Sequence, residues 1–289
     1  MPLSLIIRGR EKDIGGGFIV RRLLPTAARQ SVGPFVFFDH FGPITHRPED
    51  NTDVRPHPHI GLATVTYLFD GAMDHRDSLG TFQRIEPGAI NWMSSGRGIV
   101  HSERTPADLR DHSHVIHGSQ LWAALPREFE ETAPHFSHTP AEAIPEIDIE
   151  GARIRVLIGQ AWHLRSPVET HMPTLYLHIK ASAGARISLP ADGNERATYC
   201  IDEAVEVDGQ TVESRTMAVL EDAHDSELVM PKGGNAIVIG GAPLDGHRFM
   251  WWNFVSSSKE RIERAKEDWR SQRMGHVAGD PEFIPLPES

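Results

Sequence analysis

The chain has 289 residues, 39% of them hydrophobic and 24% charged, which is the balance of a folded protein with core enough for about two domains and excludes a largely disordered one. Twenty-nine Lys and Arg stand against 40 Asp and Glu, and the formal charge of -11 repels phosphate backbones and anionic lipid, so neither direct nucleic-acid binding nor a membrane role is expected. No apolar run is long enough to span a bilayer, "MPLSLIIRGREKDIGGG" lacks the apolar core of a signal peptide, and the single Cys200 excludes an intramolecular disulfide; a cytoplasmic setting is the expectation.

In chain order, short alternating segments closed by Gly, Pro or Asp-Gly predict a mainly β protein, beginning with "GFIVRRLLP" and "PFVFFDHFG". In "RPHPHIG", His57 and His59 are two apart, so in a strand both imidazoles point the same way from Cα atoms roughly 6.6 Å apart. Pro56 and Pro58 lack an N–H on the same side, which predicts a sheet edge or a barrel mouth there. "LATVTYLFDG" reads as the next strand, and "DHRDSLG" repeats the spacing with His75 and Asp77. In "EPGAINWMSSG", Trp92 and Met93 either pack in the core or wall a pocket for a planar aromatic molecule.

"GRGIVHSER" then places His101 and Glu103 on either side of Ser102. Laid beside the first pair, this strand offers three imidazoles and one carboxylate, which is a metal site. The absence of sulfur disfavours a soft thiolate centre, whereas imidazole with carboxylate suits iron(II), manganese, nickel, cobalt or copper(II). Three or four protein ligands leave positions for water, dioxygen or a chelating substrate. His112 and His114, in the polar "LRDHSHVIHG", read as surface loop residues.

The acidic, proline-rich stretch from Pro126 to Glu150 shows no alternation and reads as a connection that takes in His135 and His138. The expected division is a metal-binding domain over 1–130, a linker over 131–150 and a second β domain over 151–289. That second half repeats the strand-and-turn style without the histidine motif: "TLYLHIKA" alternates, Cys200 sits in a strand, and Asp208-Gly209 turns "VEVDGQTVE" into a hairpin. "SSSKERIERAKEDWRSQR" predicts a helix with Ser257 and Glu260 at capping-box spacing and Ile262, Ala265, Lys266 and Trp269 on one face, packed on a barrel and followed by an extended tail. "GRGIVH" is no dinucleotide fingerprint, since His101 fills the third glycine slot, and "MSSGRG" lacks the first glycine of a nucleophile elbow.

"VGPFVFFDHFGP", "VRPHPHIGLATVTYLFDGAMDHRDSLG" and "EPGAINWMSSGRGIVHSE", in this order and spacing, closely resemble the pirin family of the cupin superfamily, densely over residues 18–125 and more loosely after 150. The resemblance implies an all-β bicupin, two antiparallel jelly-roll barrels facing each other with a C-terminal helix, of which only the first binds metal. It implies His57, His59, His101 and Glu103 as ligands of one divalent transition metal, iron first, with Mn, Ni, Co, Cu or Zn as alternatives. His75 and Asp77 then orient a ligand or a turn through hydrogen bonds. The activity implied is quercetin 2,3-dioxygenase chemistry on a small aromatic substrate and O2, with Glu103 taking the flavonol 3-hydroxyl proton. The alternative is a non-enzymatic, iron-binding transcriptional cofactor or metal sensor, which would need a protein partner; fold and ligands are common to both roles.

Overall fold

Alternating side chains and Gly- or Pro-closed turns leave the chain little choice but strands. A computed structural model describes residues 3–15, 17–50, 53–220 and 224–288, mostly β with one α-helix near the C-terminus. The strands up to residue 139 are β1 (Leu3–Arg8), β2 (Arg10–Asp13), β3 (Ile19–Leu24), β4 (Phe35–His46), β5 (Val54–His59), β6 (Leu62–Asp70), β7 (Met73–Asp77), β8 (Phe82–Ile85), β9 (Ile90–Ser94), β10 (Ile99–Arg104), β11 (His114–Ala124) and β12 (His135–Thr139). Of these, β2 to β12 form a seven-stranded sheet of order β12-β9-β6-β11-β4-β3-β2 and a four-stranded sheet of order β5-β10-β7-β8. A second seven-plus-four arrangement, which includes β1, is built mainly from the later strands, so the sheet plan is used twice.

The two compact units do not follow the expected boundaries of 1–130, 131–150 and 151–289. One comprises Glu11–Arg21, Asp39–Ala141 and Leu244–Ser289; the other comprises Met1–Arg10, Arg22–Phe38 and Glu142–Pro243. β1 pairs with Thr216–Leu220, so the N-terminal strand belongs to the second barrel. The 131–150 stretch is not a plain linker: β12 pairs with β9 in the first barrel, and Glu146–Ile149 pairs with Ala152–Ile158 in the second. Both are half-exposed edge strands, which carry a weaker apolar alternation than a buried one.

The second barrel is filled with aliphatic side chains, among them Ile154, Val156, Leu177, Ile179, Leu228 and Val238, with Cys200 buried beside them. Its hairpin turns at Asp208 and Gly209, at φ 49° and 78°, as the sequence predicts.

The closing helix, α1 (Lys259–Arg270), packs on the first barrel. Its buried Ile262, Ala265 and Trp269 meet Ile60, Val100, Phe254 and Val277. The N-cap is Ser258, one residue later than expected, with its hydroxyl accepting from Arg261 N at 3.2 Å. Lys266 lies over the ring of Trp251 rather than in the buried face. The chain reaches this position through Val255, whose N–H donates to the Ile60 carbonyl at 3.2 Å. The approach is so close that Gly61, at φ 67°, has no room for a Cβ against the Val255 carbonyl, and a glycine therefore closes the histidine strand.

Glu130 fixes the same segment. Its buried carboxylate accepts from Ser257 N at 2.9 Å and from the hydroxyls of Ser256 and Ser257, both at 3.0 Å, and pairs with Arg248 at 2.8 Å. Replacing Glu130 by alanine strips three groups of their acceptor and leaves Arg248 buried with only Asp245 as counter-charge. The expected loss is about 3–5 kcal/mol, read from the urea midpoint at an unchanged m-value.

Candidate metal centre

The geometry starts from β5, an edge strand as its two prolines require, paired antiparallel with β10. His57 lies opposite His101 and His59 opposite Ile99, and residues opposed in a ladder share a face. One ring nitrogen from each of His57, His59 and His101 falls within 4.8 Å of the other two. The three rings are 7%, 1% and 2% exposed, so the cluster is closed off from bulk water. Among the described residues it is the only such group of three or more.

Hydrogen bonds fix which nitrogens carry protons. The Arg55 carbonyl accepts from His57 Nδ1 at 2.9 Å, which leaves the Nε2 lone pair of His57 bare. On β7, Asp77 Oδ1 accepts from the backbone N–H groups of Leu79 and Thr81 at 2.9 and 3.0 Å, and Oδ2 accepts from His75 Nε2 at 3.0 Å. His75 Nδ1 is therefore an acceptor, and His101 Nδ1 donates to it at 3.3 Å. The lone pair of His101 is thereby placed on Nε2, which faces Nε2 of His59 at 3.1 Å. Metal–nitrogen bonds of about 2.0–2.1 Å would bring two imidazoles that share a cation to roughly this separation.

Electrostatics act the same way. Burial, and then mutual repulsion, holds His59 and His101 well below the ordinary imidazole range; burial lowers His57 to about 4, against the pull of the Arg55 carbonyl. All three are neutral at pH 7, the form that binds a metal. Burial works against the charge of Asp77, but the bonds from His75 and Thr81 prevail and keep it below the usual carboxylate range. This donor set fits a borderline transition metal.

Glu103 stands apart from the cluster. A bulge between His101 and Glu103 shifts it one residue along β5, to a place opposite Val54. The carboxylate accepts a long 3.5 Å bond from the Thr66 hydroxyl, and burial pushes its pKa up to about 7 against that bond. Its ladder partner on β7 is His75, so it still shares the face of His101.

The large sheet supplies the opposite wall in two rows. Thr64, Met93, Trp122 and Phe136 are register partners; Trp122 meets His59 edge-on at 5.2 Å, and Phe136 stacks on His75 at 4.4 Å. Two residues along each strand lie Thr66, Asn91, Gln120 and His138. Of the expected pocket pair, Met93 is on this face while Trp92, a register partner of Val65, is on the other, as successive strand residues must be. His138, expected in a linker, belongs to β12 and donates to Asn91 Oδ1 at 2.7 Å. His40 lies in mid-strand, its Nε2 2.8 Å from that of His117. Sequence reading missed Thr66, Asn91, Gln120, Trp122 and Phe136; the Thr64/Thr66 alternation in "LATVTYLFDG" was the one local sign of a polar inner face.

Antiparallel barrels used twice, with three buried imidazoles converging inside one of them, define a bicupin with a candidate metal centre. Residues 17–123 match the family Pirin, and residues 176–275 match the Pirin C-terminal cupin domain. The chain is 45% identical to a pirin-like protein of Caulobacter vibrioides over 99% of its own length and 100% of that protein's. A Pseudomonas aeruginosa protein named provisionally a quercetin 2,3-dioxygenase is 37% identical over 91% of this chain and 82% of its own. The crystal structure of a quercetin 2,3-dioxygenase from Acinetobacter baumannii superposes with a TM-score of 0.92 at 32% identity, covering 99% and 95% of the two chains. The chain belongs to the pirin family.

Proposed function

We propose that the chain is a metal-dependent dioxygenase that opens a flavonol such as quercetin with O2, releasing carbon monoxide. The observation that carries this reading is the convergence of the neutral His57, His59 and His101 in one closed barrel. Relatives that bear the quercetin dioxygenase name at 37% and 32% identity support the substrate class. His57, His59 and His101 are the proposed ligands, joined by Glu103, whose long bond to Thr66 costs little to give up. A divalent transition cation held there, iron first, would act as a Lewis acid with open positions for a chelating hydroxy-ketone and O2.

The chain's own residues do the rest. Glu103 takes the 3-hydroxyl proton, its side chain on the same face as His101. Met93 and Trp122, both buried, exclude water from the reacting ring. Asp77, through His75, keeps the proton of His101 on Nδ1 and away from the cation.

Aerobic incubation of quercetin with protein loaded in turn with Fe, Mn, Ni, Co or Cu tests the reading. Loss of the flavonol absorption band together with carbon monoxide is expected with at least one metal. No loss with any of them favours the other role of the fold, an iron-binding regulator without turnover.

A further inference from the structure

We infer that Thr66, Asn91, Gln120 and His138 form a specificity subsite that binds the hydroxyl groups on the part of a planar aromatic ligand remote from the cation. The inference rests on the metal-dependent reading above and names what decides among its substrates.

The row's position comes first. Register puts these four side chains on the inner face, two residues and so roughly 6.6 Å along each strand from Thr64, Met93, Trp122 and Phe136. Thr66 ties the row to the centre, since its hydroxyl reaches Glu103 Oε1 at 3.5 Å and Gln120 Oε1 at 3.0 Å. A ligand chelated at the imidazoles and reaching along β6 and β9 extends over this row.

Its chemistry is out of place for mere packing. One step further along β6 the inner face turns apolar, with Leu68 in a cluster with Phe18, Phe41, Ile85 and Ala89. A barrel with no need of polar contacts would continue in that style, because a polar group taken out of water costs free energy unless bonded. The bonds within the row engage one end of each amide: Gln120 Oε1 accepts from Thr66, and Asn91 Oδ1 accepts from His138 Nδ1 at 2.7 Å. The other end of each amide is an NH2 group, a donor for phenol or carbonyl oxygen.

Access points the same way. Gln120, Phe136 and His138 are part-exposed, as are Glu103 on β10 and Gln83 on β8, whereas His59, His101 and Met93 are at most 2% exposed. The row runs from part-exposed His138 on edge strand β12 to Thr66 and Asn91, which at 6% and 4% exposure are as buried as the imidazoles.

The test compares quercetin with 3-hydroxyflavone, which has the same chelating hydroxy-ketone and none of the other hydroxyls. Each is titrated under nitrogen into the Fe(II)-loaded protein and followed by its absorption shift. The wild type is expected to prefer quercetin by about 10-fold or more, the worth of one or two net hydrogen bonds. His138→Phe and Asn91→Leu should each cut that preference severalfold and leave 3-hydroxyflavone affinity and metal content unchanged, while His138→Gln retains most of it. Variants that keep the full preference, or that lose both ligands equally at full metal content, overturn the subsite and leave the dioxygenase reading standing. A wild type that binds neither flavonol overturns both.

Discussion

His101→Ala is expected to lose at least about 100-fold in transition-metal affinity, and with it all quercetin turnover, as read by elemental analysis and chelator competition. No other ring serves the centre in as many ways. His101 Nε2 lies 3.1 Å from that of His59, its ring centroid is 4.4 Å from that of His57, and its Nδ1 is its link to His75. The substitution removes one lone pair and cuts the connection to Asp77. The fold itself should survive, because the lost group is a neutral ring and not half of a buried ion pair. In chelator the melting temperature should stay within a few degrees of wild type. Added metal, which stabilises any native state it binds, raises the melting temperature of the wild type and leaves that of the variant where it was. A variant that still takes up one metal per chain at wild-type affinity would remove His101 from the ligand set.

Asp77→Asn tests the proton arrangement instead of the ligand. The side-chain oxygen of asparagine still accepts from Leu79 N and Thr81 N, so the turn is kept. Its NH2 group cannot accept from His75 Nε2, and His75 is driven to the tautomer that carries its proton on Nδ1. Two N–H groups then oppose each other across the 3.3 Å gap to His101, and His101 relieves the conflict by moving its own proton to Nε2, on the metal side. The expected loss of metal affinity is about 10–100-fold, with the change of tautomer visible in imidazole nitrogen shifts of the metal-free protein. Unaltered affinity with an altered tautomer would confine Asp77 to the turn.

Much of this centre is legible in the sequence because a strand has period two. His57, His59 and His101 needed only that periodicity and a guess that their strands were neighbours, and Pro56 and Pro58 correctly forecast the edge. The placement of Glu103 was not legible, because a bulge depends on both strands and has no signature in "HSER" alone. The polar row escaped notice for a related reason: Thr66, Asn91, Gln120 and His138 come one from each of four strands and meet only through pairing. The helix cap was off by one in a run of three serines, since Ser256 and Ser257 are engaged by Glu130 and only Ser258 is left to cap. The return of residues 244–289 to the first barrel had no local sign, because long-range topology is not written in any one segment.

That return shapes how the protein must be made. Ile60 follows His59 directly and Val100 precedes His101, and both are covered by Phe254, Ile262 and Trp269. During synthesis these two side chains leave the ribosome long before their cover does, so the nascent first barrel carries a bare greasy flank while residues 142–243 of the second are being translated. Ile284 donates to the carbonyl of Pro56 at 2.8 Å, so the histidine strand is made more than two hundred residues ahead of the segment that covers it.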